Sequence, residues 1–117
     1  MPISLILAFF LFAAMGAALI WQPQLLTRLT HVELTTVESR NEVRAVYGGF
    51  GIAMAITMLV AMVSLTLRPG ILLATAMALL GMAGGRGYAA YIEMPSAMIW
   101  AFLALEAVLG ILLLIGI

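Results

Sequence analysis

The chain has 117 residues, 66% of them hydrophobic and only 9% charged, with a mean hydropathy of +1.25. A soluble domain is near a quarter charged, so this composition excludes a water-soluble globular protein and makes a bilayer the solvent. Five arginines balance five glutamates, leaving no basic face for nucleic acid. The absence of cysteine excludes disulfides, thiol catalysis and iron–sulfur ligation, and a lone histidine, His31, cannot build a His-based catalytic metal site.

No charge occurs before Arg28, and residues 3–21 form an apolar run of the length that ~30 Å of hydrocarbon demands. This is the first span. A cleaved signal peptide would need a basic stretch ahead of it, which is missing. A polar loop over residues 22–41 follows. Within it Leu25, Leu26 and Leu29 suit a helix lying on the interface, whereas Val32, Leu34 and Thr36 alternate as a short strand does. His31, Glu33 and Glu38 read as solvated loop residues.

The second span covers residues 43–67. Ser39 and Glu42 have the Ser-x-x-Glu spacing of a capping box, which starts the helix near residue 40 and accounts for Glu42. Arg68-Pro69-Gly70 ends it. The third span, 71–92, and the fourth, 97–117, are joined by the short Glu93–Ser96 turn, so adjacent spans run antiparallel. The expected fold is an all-α antiparallel four-helix transmembrane bundle in a single domain. Both termini and Arg68 lie on one membrane face, with the 22–41 loop and Glu93 on the other. The arginine count leans towards a cytoplasmic loop face. Trp21, Tyr47, Tyr88, Tyr91 and Trp100 all fall at the loop-face ends of spans, where amphipathic rings anchor.

Two charges lie inside the membrane. Glu106 is ten positions beyond Ser96, about 15 Å deep, where an ionisable side chain costs roughly 2.5–3.5 kcal/mol and calls for a partner or a proton. Arg86 is six residues from the loop-face end of the third span, about 9 Å deep. Side chains lean towards their own helix N-terminus, so on antiparallel helices these two converge in depth, and a guanidinium fork is expected to hold the carboxylate bidentately. On a straight helix Arg44, Tyr47, Gly51, Ala55 and Met58 form one stripe, which places Arg44 and Tyr47 against the same neighbour. Gly48 and Gly49 admit another backbone. Ala74, Ala78, Gly81 and Gly85 carry the small-residue spacing of a helix-packing face, within the chain or between chains. The nine methionines show no ligand spacing.

The string Asn41-Glu42-Val43-Arg44-Ala45-Val46-Tyr47-Gly48-Gly49 resembles the signature of a bacterial membrane family, domain of unknown function 4345. Gly85-Arg86, Glu93-Met94-Pro95 and Glu106 follow in the order and spacing that the family tends to carry. That family is similar to the DoxX-like four-span proteins. The resemblance implies Glu42, Arg44, Tyr47, Arg86 and Glu106 as the polar positions, with Glu93 as the acidic residue of the turn, and a bacterial inner membrane as the setting. Some distant DoxX-like proteins are small subunits of quinone-linked oxidoreductase complexes, which implies a bound quinone or a complex partner by analogy alone.

The leading expectation is a non-enzymatic bundle whose Arg44, Tyr47, Arg86 and Glu106 line a polar intramembrane pocket. It would bind an amphipathic ligand, a lipid or a quinone, or support a larger complex or homo-oligomer, with no intrinsic cofactor. A proton-coupled small-molecule transporter is the alternative, since four spans and one embedded Glu resemble the small multidrug exporters, whose carboxylate lies in their first span. This chain has Ala13 and Ala14 there. A purely structural ion-pair cluster is the third reading. An enzyme using Glu106 as acid or base ranks last, because an arginine partner opposes proton exchange.

Overall fold

The computed structural model describes residues Met1–Ile117 and contains helices and no strand. The helices are α1 (Ile3–Trp21), α2 (Leu25–Thr30), α3 (Val37–Val63), α4 (Arg68–Ile92) and α5 (Ala97–Ile115). All but α2 are long and apolar enough to cross a membrane. The chain forms two compact units, Ala8–Leu59 and Met1–Leu7 with Val60–Ile117.

In the Ala8–Leu59 unit, α1 buries Ala8, Phe12, Gly16 and Leu19, a helical stripe. The facing stripe on α3 is Val43, Gly48, Gly51, Ala55 and Met58, with a five-residue first step where a regular helix has three or four. The extra residue is absorbed by a π-helical turn over Arg44–Gly49, in which the Phe50 N–H reaches back to the Ala45 carbonyl. A straight-helix stripe through Arg44 therefore does not form. Val43 takes the buried position, Arg44 is exposed and Tyr47 is half-buried.

Glycine makes this pairing close. A Cβ on Gly16 would lie 2.5 Å from the Ile52 nitrogen, one on Gly51 2.8 Å from the Gly16 Cα, and one on Gly48 2.9 Å from the Ile20 Cα. The contacts pair descending positions of α1 with ascending positions of α3, so the two segments run in opposite directions. Leu19, Leu26 and Val43 form a small core, against which Met15, Leu25, Leu34 and Tyr47 pack.

The connector is helical at first and irregular afterwards. Residues 32–36 form no strand, and their carbonyls find partners other than a second strand: the Thr27 hydroxyl donates to Val32 O at 2.6 Å and Arg40 Nη1 to Leu34 O at 3.2 Å. The capping box lies three residues earlier than Ser39–Glu42. Ser39 N donates to Thr36 Oγ1 at 3.0 Å, and Thr36 N to Ser39 Oγ at 3.1 Å. Thr36 has the extended backbone an N-cap needs, and α3 starts at Val37. Glu42 is exposed and takes no part in the cap.

In the second unit, α4 starts at Arg68 and not at Ile71. Proline lacks an N–H that the first helical turn would leave unpaired anyway, so Pro69 opens this helix as well as excluding itself from the previous one. Arg68 folds back onto the end of α3, donating from Nε to Ala61 O at 2.9 Å and from Nη2 to Met62 O at 3.0 Å. That ends α3 at Val63. The α4–α5 hairpin buries Thr75, Ala76, Leu79 and Ala83 against Glu106, Leu109, Gly110 and Leu113. Gly87 meets Leu103, Arg86 meets Glu106 and Leu80 seats on Gly110, the descending order of an antiparallel pair. Gly116, at φ 76°, closes α5 in the left-handed conformation that favours glycine.

Candidate functional site

Glu106 stands where an apolar residue belongs. It continues the buried stripe of Leu109, Gly110 and Leu113 towards the N-terminal end of α5 and is 5% exposed. On α4, Arg86 follows Leu79 and Ala83 at helical spacing, which aims it at the same seam. Arg86 Nε donates to Glu106 Oε1 at 2.5 Å, the molecule's ion pair. The guanidinium also lies 5.4 Å from the centre of the Phe102 ring, a cation–π distance.

The pair is not the bidentate fork expected from the sequence. It is made through Nε, so only Oε1 is engaged, and Glu106 Oε2 is buried with no hydrogen-bond partner. Neither Nη nitrogen of Arg86 makes a hydrogen bond within the chain, and the side chain is 27% exposed. A buried carboxylate oxygen without a donor and a guanidinium with free arms are both costly in a low-dielectric setting. Together they form an unsaturated polar site: unspent donors on Arg86, an unspent acceptor on Glu106, and the Phe102 ring beside the guanidinium.

The other polar positions named from the sequence have different surroundings. Arg44 Nε donates to Ile20 O at 3.1 Å and so satisfies a carbonyl at the end of α1, where the free carbonyls of a helix welcome a cation. Tyr47 packs on the Leu19–Leu26–Val43 core. Arg44 and Tyr47 belong to the Ala8–Leu59 unit, Arg86 and Glu106 to the other. Glu42 is exposed, and Glu93 is an exposed residue in extended backbone that ends α4. Gly49 has ordinary contact with the Arg44 carbonyl at 3.7 Å from a built Cβ. Gly81 and Gly85 face open space, with nothing within 4 Å. Trp21, Tyr88 and Tyr91 are exposed, as anchors at an interface are.

Three residues that matter here lack an assignment from sequence alone. Gly16 lies in the run Ala13-Ala14-Met15-Gly16-Ala17-Ala18, a small-residue signal that also looks like a cleavage site. Gly110 seats Leu80, whose Cγ would be 2.9 Å from a Cβ at that position. Phe102 carries no periodic signal and is marked only by lying four residues before Glu106.

An all-α chain with four membrane-compatible helices and a part-buried arginine–glutamate pair is a multi-pass membrane protein of the small helical type. It belongs to the family described as Domain of unknown function (DUF4345), whose model matches residues 1–117, the whole chain. The comparisons found no similar curated protein and no similar solved structure.

Proposed function

We propose that this protein is a non-enzymatic binding protein of the bacterial inner membrane, which holds the polar head of an amphiphile, a lipid or a quinone, at Arg86. The observation that carries the reading is the incomplete pairing of Arg86 with Glu106. The free Nη arms donate to a carbonyl or phosphoryl oxygen of the head, Glu106 Oε1 orients the guanidinium, and Phe102 supplies a flat apolar wall for the adjoining chain. Because the glutamate neutralises the arginine, an uncharged acceptor suffices, and binding needs no full anion at that depth. A role as accessory subunit of a larger membrane complex is compatible with the same site, with the held amphiphile passed to or from the partner.

The test is native mass spectrometry of protein released from mild detergent. Wild type is expected to retain an amphiphile that Arg86→Ala loses while its helical content persists. Equal retention by the two proteins would contradict the proposal. A second reading, proton-coupled transport, is favoured by one observation: Glu106 Oε2 is a buried carboxylate oxygen left without a partner in a membrane-compatible helix. It predicts ligand release on acidification that Glu106→Gln abolishes, whereas a holding role predicts retention across that change.

A further inference from the structure

Four of the five arginines spend a donor inside the chain: Arg40, Arg44 and Arg68 on backbone carbonyls, and Arg86 on Glu106. Arg28 makes no hydrogen bond and no ion pair. It lines an open cleft of about 410 Å³ in the Ala8–Leu59 unit, together with Gln24, Thr27, Glu33, Leu34 and Thr35. Glu33 is likewise without a partner, and the two opposite charges share the cleft without bonding each other.

The cleft has two walls of different construction. Gln24, Thr27 and Arg28 stand on one face at the start of α2, at i, i+3 and i+4. Opposite them, residues 33–35 form an irregular segment held on both sides of Glu33. The chain turns at His31, whose φ of 62° is left-handed, and its N–H bonds to Thr27 O at 2.9 Å. Thr27 then holds the Val32 carbonyl, Arg40 holds the Leu34 carbonyl, and the Thr36–Ser39 box fixes the far end. The backbone that presents Glu33 is thus set before any ligand arrives, which lowers the ordering cost of binding. The cleft belongs to the connector between two membrane-compatible helices, α1 ending at Trp21 and α3, the kind of segment that meets lipid headgroups.

We infer that this cleft binds a phospholipid headgroup that carries both a phosphate and a primary ammonium, the phosphate on Arg28 and the ammonium on Glu33. Guanidinium and phosphate match as fork and anion. A primary ammonium donates hydrogen bonds to a carboxylate, with Thr35 and Gln24 at hand for its remaining protons. A quaternary ammonium has no proton to donate and is recognised by aromatic rings, of which the cleft has none. A headgroup with phosphate alone leaves Glu33 facing an anion. The site therefore selects phosphatidylethanolamine over phosphatidylcholine and phosphatidylglycerol. It is independent of the Arg86 reading and uses none of its residues.

The experiment is competition native mass spectrometry on the full chain in mild detergent with equal amounts of the three lipids, dioleoyl forms of each. Wild type is expected to retain phosphatidylethanolamine about twofold to fivefold over the others, the scale of one charge contact near a surface. Glu33→Gln is expected to abolish the preference while still binding phospholipid, and Arg28→Gln to weaken all three. Both side chains are exposed and make no bond in the fold, so circular dichroism should be unchanged. Equal retention of the three lipids by wild type, or a preference that survives Glu33→Gln, overturns the inference. Soluble glycerophosphoethanolamine added in excess is the remaining arm: if it binds at this cleft while the lipids show no preference, the ligand is a free zwitterion and the lipid assignment fails.

Discussion

In the Ala8–Leu59 unit, Arg44 gives its Nε to the end of α1, Tyr47 packs on a core, and Gly48 and Gly51 accept the α1 backbone. In the α4–α5 hairpin, Arg86 gives one donor to a buried glutamate and leaves the rest of both groups unpaired. The first region carries the string by which the chain most resembles its family, yet its Arg44, Tyr47 and Gly48 are accounted for by a helix-end contact and packing. The second is announced by isolated residues, and its polar groups are left over after folding. A distinctive motif in a membrane helix can thus serve close backbone approach, while unsatisfied hydrogen-bonding capacity marks the place where chemistry remains to be done.

The two regions should break differently. The largest effect is expected from Gly16→Val, whose Cβ meets backbone nitrogen and carbonyl oxygen that cannot yield; unfolding in mild detergent should show a loss of about 3 kcal/mol or failure to assemble. Arg86→Leu comes next. It leaves Glu106 buried with no partner and should cost ~2 kcal/mol, less than a fully enclosed pair because Arg86 is partly exposed. The double substitution Arg86→Leu with Glu106→Leu should recover most of that loss, since it removes both unsatisfied groups; a double variant as unstable as the single one would deny the pair its proposed energetics.

Smaller effects sharpen the contrast. Thr36→Ala should cost about 1 kcal/mol through the lost cap, whereas Glu42→Ala should change stability by less than ~0.5 kcal/mol, because the capping box is Thr36–Ser39. Gly81→Ala should leave the isolated chain unchanged or stabilise it by up to ~1 kcal/mol, since nothing occupies the space a methyl would fill. Chemical denaturation of the three variants side by side checks the order. A destabilising Gly81→Ala would mean that this open face is covered by another copy of the chain.

Much of this was legible in the sequence. Apolar runs of about 20 residues, the last two each interrupted by a single charge, mark the four spans because the bilayer sets their length, and the depth and lean of Arg86 and Glu106 bring them to one level. What was not legible has physical causes. A π turn leaves no periodic signature of its own, so a stripe drawn through Arg44 on a regular helix misses the five-residue step from Val43 to Gly48. Thr36-x-x-Ser39 and Ser39-x-x-Glu42 are overlapping cap signals, and only the backbone decides between them. Pro69 reads equally as the stop of one helix and the opening of the next. Gly16 and Gly110 show their roles only against the atoms a Cβ would strike.

Under the proposed function an amphiphile is held at Arg86, while Arg44, in the more distinctive string, is a helix-end contact. Native mass spectrometry of Arg44→Gln and Arg86→Gln, prepared in parallel with wild type from the same membranes, tests it most directly. Arg44→Gln is expected to keep the bound amphiphile and Arg86→Gln to lose it, both retaining their helical content. Loss in Arg44→Gln with retention in Arg86→Gln would contradict it.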